Sequence, residues 1–136
     1  MQVTSGSAPE WLKSTVQPVG RRLRAPSQIY SRANLIVSRR IKLEEMLATE
    51  PDDPFLNYAL ALETAKEDRQ AGLARLADMN TRFPQHVPAY FRRGQILAEI
   101  GEIESARQVL TAGIRAARST GDDHAAAEMQ ELMSSL

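Results

Sequence analysis

The sequence predicts an all-α chain, and three observations carry that prediction. From about residue 40 onward, apolar residues recur at three- and four-residue spacing, the period of a helix face. No window alternates apolar with polar residues for long enough to argue a strand. Proline, glycine and aspartate fall at regular short intervals and cut the periodic stretch into short segments.

Residues 1–27 have no sustained period. Pro9, Pro18 and Pro26 interrupt any helix, and apolar residues are sparse. Residues 1–39 are therefore expected to be a disordered, basic N-terminal arm, with the folded domain over 40–136. Residues 28–49 become helical in at least their second half, with Ile41, Leu43, Met46 and Leu47 as an apolar stripe. "EPDDP" ends that helix. Asp53 followed by Pro54 then starts the next, a capping acceptor before proline at the first helical position. From Pro54 to about Lys66, apolar residues cover more than one face, as in a helix packed on two sides.

"EDRQ" is a polar break. Leu73, Leu76, Ala77 and Met79 then form one stripe over 70–82, and Pro84 stops it. Pro88 opens the following helix, with Tyr90, Phe91, Gly94, Leu97 and Ile100 on its apolar side. Gly101 suits the left-handed position that closes a helix. Ile103, Ala106, Leu110, Gly113 and Ala117 make the next stripe. A last helix over about 122–135 carries Ala126, Met129 and Met133.

The 136-residue chain is the size of one domain. It contains no cysteine, so disulfides, iron–sulfur clusters and thiol catalysis are excluded. Net charge is zero but unevenly spread: residues 1–40 sum to +6 and residues 41–136 to −6. No apolar run has the length of a membrane span or a secretory signal. The expected location is the cytoplasm; the Arg- and Ser-rich arm makes mitochondrial import the minor alternative.

No catalytic constellation is found. His86 and His124 lie in different segments, away from any Cys, Ser or Asp arrangement. No ligand set has metal-binding spacing, and no glycine-rich loop cradles a phosphate. The acidic pairs Asp52–Asp53 and Asp122–Asp123 stand at helix starts, where carboxylates stabilise free N–H groups. The chain is thus expected to be no enzyme and to use no cofactor, metal or small-molecule substrate.

Sliding the sequence by 34 residues aligns its middle with itself. Pro54 falls on Pro88, Leu56 on Tyr90, Leu62 on Ile96, Gly72 on Ala106, and Leu76 on Leu110. That period, with Tyr90, Gly94, Leu97, Gly101, Ala106, Leu110 and Gly113 at bulky and small positions, resembles the tetratricopeptide repeat family. Units fall at about 53–86 and 87–120, with 40–49 and 122–135 as capping helices. The resemblance implies a right-handed stack of antiparallel helix hairpins. In the first unit, Leu60 stands at a small position and Glu63 at an apolar one, which suggests a helix shifted by one residue.

The resemblance also implies function: a protein–protein interaction module, holding a peptide or helix of a partner in a concave groove lined by the first helix of each hairpin. It places Asn57, Ala61 and Thr64 in that groove from the first unit, and Phe91, Gln95 and Ala98 from the second. Arg92 would add an anion-binding fork. With Asn57 it makes part of the Lys, Asn and Arg set by which some members clamp a peptide's terminal carboxylate. Arg93 stands where the family places an apolar residue, with Glu63 as a candidate partner. The alternatives are a structural homo-oligomer joined through Met46, Met129 and Met133, and nucleic-acid binding by the basic arm.

Overall fold

A computed structural model describes residues 32–136 of the chain. The expected arm lies outside the described residues as far as position 31. The compact unit runs from Ile36 to Leu136. The described residues form six helices and no strand: α1 (Arg32–Thr49), α2 (Pro54–Glu67), α3 (Arg69–Arg82), α4 (Val87–Glu99), α5 (Ile103–Ser119) and α6 (Asp123–Ser134). Helix α1 thus starts well before residue 40.

The helix ends follow from local chemistry. Asp53 Oδ1 accepts from the Phe55 and Leu56 amides at 2.8 and 3.1 Å, and Pro54 needs no such partner. One residue, Asp68, separates α2 from α3. Its amide donates to Thr64 O at 2.8 Å, and its side chain accepts from the Ala71 amide at 3.1 Å. Gly101 and Gly121 take φ values of 84° and 79°, the region open chiefly to glycine. Each closes its helix with the paired bonds of a Schellman turn. Glu102 N donates to Leu97 O and Gly101 N to Ala98 O; Asp122 N donates to Ala117 O and Gly121 N to Arg118 O. Asp122 then caps α6 through the Ala125 amide at 3.0 Å.

Each helix from α2 to α6 packs against the next, and α4 also touches α6. Two apolar clusters result. One joins Ala61, Leu73, Leu76, Met79, Ala89 and Ile96; the other joins Tyr90, Leu110, Ile114, Ala117 and Met129, with Leu132 and Met133 packed on it. The small-against-bulky pattern is visible in the geometry. A methyl group placed on Gly94 would lie 2.5 Å from Leu110 Cδ2, and one on Gly113 would lie 2.6 Å from Tyr90 Cβ. Gly72 gives Ala65 the same close approach. The Tyr90 hydroxyl donates to Pro84 O at 2.9 Å and ties α4 to the joint before it.

Three expectations need correction. The α1 stripe is not a core stripe: Ile41 and Met46 are 48 and 45% exposed, while Leu43 and Leu47 are half-buried. Arg40, on the same side as Leu43 and Leu47, pairs with Glu67 at 2.7 Å, so contact with α2 rather than residue pattern chose the inward face. Met129 is wholly buried in the second cluster and presents no surface for self-association. Arg93 does not pair with Glu63. Its guanidinium donates to Asn80 Oδ1 at 3.0 Å, whereas Glu63 meets Lys66 at 3.0 Å and Arg39 at 4.0 Å.

Candidate functional site

Helices α2, α4 and α6 share a cleft. A space of about 250 Å³ is lined by Tyr58 from α2, by Phe91, Arg92 and Gln95 from α4, and by His124, Ala125 and Glu128 from α6. A second space of about 300 Å³ continues along the α4–α6 seam, between Phe91, Gln95, Glu128, Glu131, Leu132 and Ser135. The two share Phe91, Gln95 and Glu128, so they form one continuous groove.

The spacing of helix residues explains the lining. Phe91, Arg92 and Gln95 lie within about one turn of α4; Phe91 and Gln95 face away from Ala89 and Ile96, which enter the first cluster, while Arg92 stands at the border and also lines a recess with Ile96. Phe91 is half-buried and rests against the second cluster, leaving part of its ring on the groove floor. Arg92 Nη1 donates to Gln95 Oε1 at 3.2 Å. Burial raises the Tyr58 phenol above its ordinary pKa, and the nearby Arg92 charge partly opposes that rise. Tyr58 and Arg92 are thus neighbours across the α2–α4 seam.

The remaining expected groove residues lie elsewhere. Ala61 is wholly buried in the first cluster. Thr64 is also buried, its hydroxyl donating to Leu60 O at 2.7 Å. Asn57 is engaged with the loop before α2: its amide nitrogen donates to Pro51 O and Asp53 O, and its oxygen accepts from Arg82 at 3.3 Å. Asn57 does not line the cleft that holds Arg92, so the two residues of the partial carboxylate clamp are not brought together. Ala98 is half-buried on α4 and lines neither part of the groove.

Sequence reasoning missed Tyr58 and all the α6 residues. The signal for α6 was present: it begins about one repeat length after α4, which is where the first helix of a third unit would stand. Read as a cap alone, it lost its groove-facing side. His86 lies in the joint before α4 and is half-buried there. Its ring packs edge-on to Phe55 at 5.8 Å and against Tyr58 at 5.2 Å, and burial lowers its pKa. Beside it, Pro54, Phe83 and Pro84 line a further open cleft.

Among the described residues, no group of His, Cys, Asp and Glu could hold a metal ion, and no helix is long and apolar enough to cross a membrane. The chain is similar to the solution NMR structure of a tetratricopeptide repeat domain protein from Salinibacter ruber. The two share 29% identity with a TM-score of 0.59, over 62% of this chain and 87% of that one. The fold is tetratricopeptide-like. No family model matches, and no curated protein matches. In tetratricopeptide-like terms, α2–α3 and α4–α5 are the two hairpins, and α2, α4 and α6 are the helices that face the groove.

Proposed function

We propose that the protein is a non-enzymatic interaction module that holds a peptide or helix of a partner protein in the groove along α2, α4 and α6. The observation that carries this reading is the half-buried Phe91 ring on the groove floor, flanked by hydrogen-bonding side chains. Burying such an aromatic surface is the usual main source of affinity at a protein interface. The Gln95 amide nitrogen supplies a donor for the main chain of a guest, since only its oxygen is engaged by Arg92.

The test is affinity capture from cells with the full chain, compared with the Phe91→Ala, Gln95→Ala double variant. Thermal melts confirm that both are folded. Loss of a captured protein from the variant, with its binding then reproduced by purified partner, supports the groove. If every partner binds the double variant as well as the parent, the groove assignment is wrong. A homo-oligomer joined through the exposed Ile41 and Met46 is the weaker alternative, and a strict monomer in sedimentation at several concentrations removes it.

A further inference from the structure

The groove carries charge of opposite sign on its two sides, and those charges do not pair with one another. Helix α6 contains no lysine or arginine, and it turns Glu128 and Glu131 into the groove over a floor made by Phe91 and Leu132. Among the described residues, the one ion-pair partner of Glu128 is His124, at 3.1 Å, a contact that is an ion pair only when the imidazole is protonated. Among the described residues, Glu131 is in no ion pair. The cation across the groove, Arg92, donates to Gln95 rather than to either carboxylate. Further along, on the α2–α4 side, Arg92 joins Lys66, Arg69 and the single carboxylate Glu99 around a separate recess.

We propose that the guest of this groove is a peptide segment carrying a lysine or arginine next to an apolar residue, with the basic side chain held against α6. This rests on the groove reading above. A basic side chain fits the α4–α6 seam in both its parts. Its methylene stem lies along Phe91 and Leu132, and its charged head reaches Glu128 and Glu131. The apolar neighbour fills the space between Phe91, Ala125 and Tyr58. At the other end Arg69 and Arg92 outweigh Glu99, while Lys66 is paired with Glu63, so a basic residue is disfavoured there and the α6 end is the preferred one.

A random peptide library displayed on phage, panned against the full chain at low salt, tests this. The expected pool is enriched in lysine or arginine beside an apolar residue and is lost on the Phe91→Ala, Gln95→Ala variant. A synthetic peptide from that pool loses about fivefold in affinity on Glu128→Gln with Glu131→Gln, as two exposed ion pairs would. The difference closes at high salt. Both glutamates are exposed, so the double glutamine variant keeps the parent's melting temperature. Peptides that require Phe91 but show no basic preference, or that ignore the glutamine changes, overturn the charge proposal and leave the groove standing. A pool that still binds the Phe91→Ala, Gln95→Ala variant, or no enrichment at all, overturns the groove itself and this proposal with it.

Discussion

Replacing Gly113 by alanine tests how closely α4 and α5 approach. Alanine is the better helix former by about 1 kcal/mol, so on propensity alone the change stabilises α5. Packing opposes it. The new methyl group would lie 2.6 Å from Tyr90 Cβ and 2.7 Å from Met129 Sδ. The methionine can rotate away in principle, but it is wholly buried. A Cβ atom cannot move without its backbone, and the Tyr90 hydroxyl is bonded to Pro84 O. The helices must therefore separate. Overpacking of this kind costs about 1–3 kcal/mol, and the rigid neighbour places this site in the upper half of that range. The net expectation is a loss of about 1–2 kcal/mol, which lowers the melting temperature of a domain this size by about 5–15 °C. Thermal melts followed by circular dichroism measure it. A variant that melts at or above the parent temperature would show that α5 does not pass Tyr90 at that distance, and the nested packing would be wrong.

Two further outcomes are expected. Truncation after Thr120 removes α6 and with it the wholly buried Met129 and the half-buried Leu132 and Met133. A fully buried side chain of this kind contributes roughly 1.5–3 kcal/mol, against a net stability of about 5–15. Cooperative unfolding should disappear, and an unchanged melting curve refutes the role of α6. His86 gives a pH dependence. Its folded pKa is lowered by burial, so the unfolded chain takes up a proton that the folded chain refuses. Stability is retained above the unfolded value of about 6.5 and declines as pH falls below it. His86→Gln should flatten the melting temperature between roughly pH 7.5 and 5.5 relative to the parent; an equal slope in both proteins removes His86 as the source.

Much of the fold was legible because helix formation here is signalled locally. Asp53–Pro54, Gly101 and Asp122 mark helix ends by chemistry that acts within four residues, and each lies where it was expected. The family resemblance also marked Gly94 and Leu110 as a small and a bulky position, which meet in the structure, whereas the first unit has Leu60 at the place of Gly94 and does not repeat that contact. What was not legible depended on the neighbour. Arg93 sits beside Asn80, thirteen positions away, and nothing in either residue announces the other. Ala61 and Thr64 were expected on the groove side of α2 by alignment with the second unit. Both are buried and Tyr58 lines the groove, in keeping with the one-residue shift that Leu60 and Glu63 suggest and that the alignment leaves out. The orientation of α1 was equally hidden. Its charged and apolar residues are interspersed, and contacts with α2, Arg40 to Glu67 and Arg39 to Glu63, select between faces.

Asp68 is the whole of the connection between α2 and α3, and it finishes one helix with its amide while starting the next with its carboxylate. Such a corner has no slack. An extra residue there would rotate α3 by a quarter turn and lift Leu73 and Leu76 off their neighbours, so this corner excludes tags, fused domains and natural insertions.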